Sequence, residues 1–415
     1  MTLTVSPTPR LRPPTPATAP FASTLTAFTL TAILVSGQLY VVIPLLHDMA
    51  TGWGASPGGL TWLVTAFGIG YGIGFLVFGP LSDRYGRRRL LMIGLPLAAL
   101  TTALVALSPS PEVAMGLRAV QGVAVAMFPP AGMAYLGERL EPRRRVVAIA
   151  AVTGAFLTSA VLLQVAAQLL VDVIGWRGLF VLSAAGFVLA ALGLRAVMLP
   201  DLPRETAGPA RAGGPAQAGG ASHRGGGSLL SAYRPLPGLL FHRVLSLRYL
   251  ATVMLMVSFV AVYTGLQIYG GTSPAELLAL RAAGLPSIVL MPLLMPWLAR
   301  VRMTTRAVAF LAVAALTLAA VGLTGTAVLV LLLALYVAAI TGGLPSMNES
   351  ISAEAGGARG TALALFSAAL AVGGSVGPQV AAAFGGFTPL MYGLATGMAL
   401  AALLVLVSTW TGGKR

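Results

Sequence analysis

The stretch Gly79-Pro80-Leu81-Ser82-Asp83-Arg84-Tyr85-Gly86-Arg87-Arg88-Arg89 lies between two long apolar segments and combines turn-forming residues with a cluster of charge. Glycines 79 and 86 can supply the unusual backbone angles that a tight loop needs. Asp83 is the only carboxylate among four arginines. We therefore expect it to pair with a neighbouring arginine or to lie at a helix N-terminus, where an anion is favoured. A loop that only had to be basic would need the arginines, but neither Asp83 nor the glycines.

The apolar character on both sides of this loop extends through most of the 415 residues. Hydrophobic residues make up 57% of the chain and charged residues 9%, whereas a soluble domain carries about 25% charged residues. So few charges cannot cover a water-facing surface of this size, and the composition excludes a soluble protein. Glycine and proline are abundant, but both are frequent in membrane helices, and disorder requires low hydrophobicity.

The chain contains twelve apolar stretches of about the 20 residues that a membrane-spanning helix needs. This predicts an all-α membrane protein with twelve transmembrane helices in two six-helix halves, residues 22–198 and 248–410. A Gly/Ala/Pro-rich cytoplasmic linker, 199–247, separates the halves. We expect 1–21 to be a disordered cytoplasmic N-terminus and 411–415 a cytoplasmic tail. The predicted spans are 22–46, 58–80, 89–107, 112–136, 146–171, 177–198, 248–270, 275–298, 305–323, 326–346, 360–384 and 387–409.

The basic residues orient these spans. With the N-terminus in the cytoplasm, 23 of the 26 lysines and arginines fall on the cytoplasmic side, Arg177 falls outside, and Arg118 and Arg281 fall within spans. Such asymmetry is typical of the positive-inside rule and predicts that both termini are cytoplasmic in a multi-pass inner-membrane protein. It also accounts for the net charge of +15 without a nucleic-acid partner.

Several chemical functions are excluded or disfavoured. The chain has no cysteine and only three scattered histidines, so we expect no disulfide, no metal site and no metalloenzyme. No G-x-x-x-x-G-K-[ST] loop is present, which argues against ATP-driven transport by this chain. We predict no cofactor and no enzymatic activity.

The loop at 79–89 resembles the signature loop of the major facilitator superfamily, G-x-L-[SA]-D-R-x-G-R-[RK]-[RK], and lies between spans two and three, as in that family. The resemblance implies a secondary transporter in which this segment, here called the latch loop, locks the cytoplasmic ends of the two halves together in the outward-facing state and binds no substrate. The repeat of the family implies a degenerate copy at 296–306, which keeps arginines but lacks the aspartate and glycines. The latch-loop residues that match are Gly79, Leu81, Asp83, Arg84, Gly86, Arg87 and Arg88.

Arg118, Gln121 and Gly122 match the R-x-x-Q-G motif with which span four begins in the same family. By resemblance, Arg118 takes part in proton coupling; the alternative is an arginine that reaches the outer interface. The Gly-Pro pair that marks exporters in span five is missing at 154–164, which weakens the prediction of antiport. No carboxylate lies at mid-membrane depth, so His47 and Asp48 form the best titratable pair near the outer surface.

The resemblance also implies a substrate cavity between the halves, near the midplane. Candidate polar and aromatic residues at that depth are Gln38, Tyr40, Gln164, Tyr263, Gln267, Arg281 and Tyr336. Each aromatic residue alone is more often packing than ligand contact. Arg118 and Arg281 are the only formal charges well inside the spans. Each could be compensated locally, Arg118 by Glu112 or a span-one carbonyl and Arg281 by Glu276 or the interface, or could instead bind an anionic substrate.

These observations predict a monomeric transporter that exports a drug-like compound or metabolite by proton antiport and alternating access. The alternative is proton-independent transport, or uptake, of an organic anion. A membrane-embedded enzyme or sensor would need a catalytic cluster or a soluble domain, and the sequence shows neither.

Overall fold

The computed structural model describes residues 18–201, 236–270, 273–321, 326–356 and 359–412, and within these ranges the secondary structure is helical, without strands. The predicted all-α membrane fold is confirmed. The helices are α1 Phe21–Gly37, α2 Leu46–Trp53, α3 Trp62–Tyr85, α4 Arg87–Ala106, α5 Pro111–Val125, α6 Phe128–Arg139, α7 Pro142–Val197, α8 Leu236–Leu240, α9 Arg243–Tyr269, α10 Pro274–Ala282, α11 Leu285–Leu298, α12 Met303–Val321, α13 Thr326–Glu354, α14 Arg359–Ala383 and α15 Phe387–Gly412.

Within the described ranges, nine helices are long and apolar enough to cross a membrane, so the count of twelve stays a prediction. The difference lies where predicted spans are broken or joined. The first is interrupted at Gln38, where α1 ends after 17 residues. The eighth divides into α10 and α11. The fifth and sixth run together in α7, which bends only at Gly175, with φ 66° and ψ 170°.

The two halves repeat the same helix pairings. In the first half, α1 packs on α7, α3 on α5, and α4 on α7. In the second half, α9 packs on α14, α11 on α13, and α12 on α15. Counted in predicted spans, one and three both pair with α7, which contains five and six, and two pairs with four; in the second half seven pairs with eleven, eight with ten and nine with twelve. This correspondence supports an internal repeat of six spans.

Glycines allow close helix contacts, as the spacing of small residues predicts. A Cβ on Gly70 of α3 would lie 2.0 Å from the carbonyl oxygen of Ala119 on α5. On the other half, a Cβ on Gly373 of α14 would lie 2.6 Å from the carbonyl oxygen of Val253 on α9. The backbones therefore approach too closely at these two positions for any larger residue.

The boundaries differ slightly from the predicted ones. Ala19, inside the segment expected to be disordered, is buried, and its N–H donates to the carbonyl of Arg139 at 3.0 Å. Helix α8 and the start of α9 fall within the predicted linker. Residues 1–17, most of the linker at 202–235, and the tail from 413 lie outside the described residues.

Candidate functional site

The latch loop is built around Gly86. Helix α3 continues through Gly79 to Tyr85, and Gly86 then turns the chain with φ 96° before α4 begins. Of the two glycines expected to make the turn, only Gly86 has a positive φ. A Cβ on Gly79 would meet no atom within 4 Å, so neither conformation nor space requires glycine there.

The carboxylate at the N-terminus of α4 belongs to Asp201. Its two oxygens accept the backbone N–H groups of Arg88, at 2.9 Å, and Arg89, at 3.3 Å. A Cβ on Gly86 would lie 2.3 Å from the same carboxylate, so glycine makes room for it. Asp83 lies in the last turn of α3, and the expectation that it occupies a helix N-terminus is therefore wrong. The side chain of Asp83 lies outside the described part of the chain.

Both halves carry an ion pair at this end of the molecule, here called the latch end. Arg87 at the start of α4 binds Glu138 at the end of α6 at 2.8 Å. Arg306 in α12 binds Glu349 in α13, the corresponding place in the second half, and also donates from Nε to Ser346 at 2.8 Å. The degenerate copy of the loop thus keeps one ion pair although its glycines and aspartate are absent. Arg84 is exposed and lies over the ring of Tyr85.

Arg118 is fully buried inside the first half, and each of its three nitrogen atoms donates a hydrogen bond. Nε binds the carbonyl of Leu63 at 3.3 Å, one terminal nitrogen binds the Gln121 side-chain oxygen at 2.8 Å, and the other binds the Gln38 carbonyl at 2.8 Å. The guanidinium also lies 4.3 Å from the ring centroid of Phe67. Arg118 therefore reaches a span-one carbonyl, one of the two local partners predicted for it.

The break in span one supplies that carbonyl. Because α1 ends at Gly37, the carbonyl of Gln38 is free of the helical ladder and available to Arg118. The side chain of Gln38 accepts from Gln121 Nε2 at 3.2 Å, and Thr102 accepts from the same nitrogen at 2.6 Å. The motif residues Arg118 and Gln121 and the cavity candidate Gln38 thus form one network, which includes no carboxylate among the described residues.

Arg281 occupies a different kind of position, at the contact between the halves. It is 1% exposed, and its two terminal nitrogens donate to Gln267 on α9 and to Gln168 on α7. Both local partners predicted for it are wrong. Glu276 instead completes the cap of α10 by accepting from the N–H of Ser273 at 3.0 Å, and burial rules out an arginine that reaches the interface.

His47 and Asp48 lie exposed on α2, at the end of the molecule opposite the latch loop, here called the far end. No described hydrogen bond joins this pair to Arg118 or Gln121. His47 Nδ1 instead lies 3.4 Å from Gln267 Nε2. His47 is therefore next to Arg281 and its partners Gln168 and Gln267, here called the Arg281 group. Burial and the neighbouring Asp172 raise the pKa of Asp48 above its usual range.

Three more cavity candidates are buried on α7, α9 and α13. Tyr263 lies one turn before Gln267 on α9, and its ring packs on that of Phe259 with 5.3 Å between the ring centroids. The Tyr336 hydroxyl shares a 2.8 Å hydrogen bond with Ser258. Gln164 is buried four residues before Gln168 on α7, so both glutamines lie on one helix face.

Tyr40 lines a small apolar cavity between the two halves. The cavity measures about 40 Å³ and is bounded by helices of both halves. Tyr40 contacts Phe259 with its ring and donates to the sulfur of Met256. The lining residues are Tyr40, Phe156, Ala160, Val161, Met256, Phe259, Val337, Ile340, Thr341 and Leu344.

Where described hydrogen bonds join the halves, they lie from the middle of the spans toward the far end. Besides Arg281 with Gln168, the Thr65 hydroxyl donates to the carbonyl of Ser375 at 2.6 Å, and Gln379 donates to Thr61 at 3.1 Å. The ion pairs at the latch end stay within their own halves. The halves are therefore joined at the far end in this state.

Sequence reasoning missed two residues, Asp201 at the start of α4 and Gln168 beside Arg281. Asp201 lies 113 residues from Arg88 in sequence, and no local pattern links them. Gln168 had a signal, because it follows Gln164 by four residues and must share its helix face.

Comparison with known proteins gives consistent matches. A sequence profile of the Major Facilitator Superfamily matches residues 28–378. A bacterial homolog of the human lysosomal transporter Spinster, solved in an inward-facing and occupied conformation, superposes with a TM-score of 0.72 over 95% of this chain and 98% of that chain. Its sequence identity is 15%, so the likeness concerns the fold alone.

Three curated relatives match shorter stretches. The probable transporter SCO4007 of Streptomyces coelicolor is 30% identical over 42% of this chain, and the multidrug efflux pump LfrA of Mycolicibacterium smegmatis is 31% identical over 36%. The tetracenomycin C resistance and export protein of Streptomyces glaucescens is 28% identical over 37%. The chain spans 40%, 29% and 28% of the length of these relatives, respectively.

Proposed function

The chain belongs to the Major Facilitator Superfamily and is a multi-pass membrane protein. From this premise we propose that it exports a small molecule, a drug-like compound or metabolite, across the inner membrane. We propose that it does so by alternating access and proton antiport. The observation that carries the proposal is the cavity bounded by helices of both halves, which are joined at the far end. A carrier of this architecture binds its substrate between the halves and rocks them about that position.

Two further observations support export. Relatives of this chain include a multidrug efflux pump and a resistance and export protein. The latch loop retains Gly86 at its positive-φ turn and holds the arginine that pairs with Glu138. We propose that this loop stabilises the outward-facing state, in which the latch ends of the halves would meet.

The coupling residues are also a proposal. Arg118 with Gln121 is one candidate pair, and His47 with Asp48 is the other.

A specific observation favours proton-independent transport, or uptake of an organic anion, as the second candidate function. No aspartate or glutamate with a described side chain is buried, so none of these groups matches the buried carboxylate that usually carries a coupled proton.

The test is transport by purified protein in proteoliposomes, with an imposed pH gradient and a panel of labelled compounds. Antiport predicts that an opposing proton gradient drives substrate accumulation and that a protonophore abolishes it. Transport that ignores the gradient would support the second candidate. The absence of movement for every compound class in the panel would contradict both.

The latch proposal has its own test. We expect Asp83→Asn to reduce transport severely while the protein remains folded, because the loop loses its only carboxylate. Glu141→Gln is the matched control, since it removes a carboxylate at the same end of the molecule whose pair with Arg144 is exposed. Wild-type transport by the Asp83 variant would remove the latch role.

A further inference from the structure

The Arg281 group carries a positive charge that no described residue neutralises. The guanidinium is 1% exposed, and its partners Gln168 and Gln267 are neutral amides. A buried charge is costly unless it is paired and fully hydrogen-bonded. An arginine retained under these conditions on a substrate pathway is a functional candidate.

Two donors at this position are unused. Arg281 Nε and the Tyr263 hydroxyl are buried and have no hydrogen-bond partner among the described residues. Tyr263 lies one turn before Gln267 on α9, and the side-chain oxygen of Gln267 accepts from the guanidinium. Two hydrogen-bond donors without partners, next to an uncompensated positive charge, would bind a ligand group that is negatively charged and accepts hydrogen bonds.

The same position adjoins the apolar cavity. Gly284 follows Arg281 by three residues, and a Cβ on it would lie 2.9 Å from Val337 and 3.3 Å from Val161. Both valines line the cavity between the halves. The polar group around Arg281 therefore lies at the far end of a chamber whose walls are mainly aromatic and aliphatic.

Arg118 does not offer a comparable site. All three of its nitrogens already donate to acceptors of its own half, and Phe67 covers its face. Every nitrogen of Arg118 is therefore already bound to the protein. Of the two arginines predicted within spans, Arg281 alone has a nitrogen atom, Nε, with no hydrogen-bond partner among the described residues.

From this arrangement, and resting on the proposed transport function, we infer that the substrate is an amphipathic organic anion. Its carboxylate or sulfonate group would bind Arg281 and Tyr263, and its aromatic or aliphatic body would occupy the cavity beside Tyr40 and Phe259. In this state the cavity of about 40 Å³ is smaller than such a molecule, and separation of the halves would provide the remaining space.

The test compares charged and neutral members of one compound series. Naphthalenesulfonates of increasing alkyl length and the matching naphthalenesulfonamides have the same apolar body and differ in charge. Binding to the purified protein is measured by the ligand-induced rise in unfolding temperature, and transport is measured in proteoliposomes. We expect the sulfonates to bind and to be transported at least tenfold more effectively than the sulfonamides.

Three variants locate the site. Arg281→Lys keeps the charge but loses the planar fork, and we expect it to raise the apparent Kd for sulfonates about tenfold, as expected for a lost hydrogen bond to a charged group. Tyr263→Phe removes only the hydroxyl and should weaken sulfonate binding severalfold without impairing folding. Arg143→Gln is the control, because it removes an exposed arginine that lies outside the cavity, the latch loop and the degenerate copy of that loop.

The outcomes separate the inference from the proposed function. Equal binding of sulfonates and sulfonamides would overturn the inference, as would equal effects of Arg281→Lys or Tyr263→Phe on both series. Binding of neither series would also overturn it. In each of these cases, export of another compound class in the same proteoliposomes would leave the proposed function standing. Export of no compound class, with the sulfonates still bound selectively, would contradict the proposed function alone.

Discussion

The two halves of the molecule hold their buried arginines in opposite ways. Arg118 in the first half donates only to Leu63, Gln121 and Gln38, which all belong to that half. Arg281 in the second half donates to Gln267 of its own half and to Gln168 of the other. The first arginine can move with its half as a rigid body, whereas the second must change partners when the halves separate.

A glutamine accompanies each arginine, and the two glutamines serve different purposes. Gln38 lies at a break in span one and offers its carbonyl to Arg118. Gln267 lies inside the continuous helix α9 and offers its side chain to Arg281. The helix pairings of the repeat are thus the same in both halves while the polar chemistry differs. We interpret the Arg118 network as part of the framework and the Arg281 group as a contact that depends on the transport state.

The largest effect expected from this comparison is the loss of Arg118. Arg118→Ala removes the donor of two buried acceptors, the Gln38 carbonyl and the Gln121 side-chain oxygen, and each unpaired acceptor costs about 1–3 kcal/mol. We expect a strong decrease in unfolding temperature and in the yield of monodisperse protein, much larger than for Arg281→Ala. Thermal unfolding of both variants in the same detergent measures the difference. Equal stability of the two variants would remove the distinction between framework and contact.

The second prediction concerns far-end closure. Arg281→Gln removes a costly buried charge together with its hydrogen bonds, so we expect a net change in stability within about 1 kcal/mol. Closure of the far end should nevertheless weaken. Because the chain has no cysteine, a pair placed at Thr61 and Gln379, which contact across the halves at 3.1 Å, reports closure by its cross-linking rate. We expect slower cross-linking in Arg281→Gln than in Arg143→Gln, which removes an exposed arginine outside both latch segments; the same rate in both would contradict the role of Arg281 in closure.

The third prediction compares the ion pairs at the latch end. The side chain of Arg306 is 4% exposed and that of Arg87 is 15% exposed, and Arg306 also binds Ser346. We expect Arg306→Gln to cost about 1–3 kcal/mol, as a buried charged hydrogen bond does. Arg87→Gln should cost less, about 1 kcal/mol, because the Arg87 side chain is the less buried of the two arginines. Denaturation of the two variants side by side tests the order, and a larger loss for Arg87→Gln would reverse it.

The smallest effect is expected at Asp48. Burial and Asp172 raise the pKa of its carboxyl in the folded protein, so folding favours the protonated form. The stability that this group contributes is complete below its ordinary pKa of about 3.9 and is lost as the pH rises through the raised value. Asp48→Asn should therefore be more stable than wild type, by a few tenths of a kcal/mol, only above that window. Unfolding temperatures measured from pH 3 to pH 8 test this, and an equal offset at every pH would contradict it.

Much of the fold was predictable because its signals are local. Apolar length, the distribution of arginines and the latch loop predicted the membrane fold and its division at the linker. The broken spans were not predictable in the same way. The interruption at Gln38 depends on an arginine 80 residues later that binds the released carbonyl, and hydropathy alone continues smoothly across it.

The sequence indicated which polar residues lie at depth in the spans, but not which of them bind Arg118 and which bind Arg281. Gln164, Tyr263, Gln267, Arg281 and Tyr336 were singled out by polarity at depth, and the structure joins Arg281 to Gln267 by a hydrogen bond. Nothing in the sequence separated Gln38 from them or assigned it to Arg118. Pairing across the two halves depends on helix rotation and on the transport state, and one-dimensional patterns contain neither.

The position of Asp201 bears on how the protein could be produced as two separate polypeptides. This residue is the last described before the gap at 202–235 and supplies the acceptors for the first N–H groups of α4. A first fragment that stops after residue 201 would carry its own cap for α4, whereas one that stops at residue 198 would lack it, along with the Leu199 N–H that donates to Tyr135 at 2.8 Å. Residues 199–201 must therefore stay with the first fragment if the transporter is produced as two polypeptides.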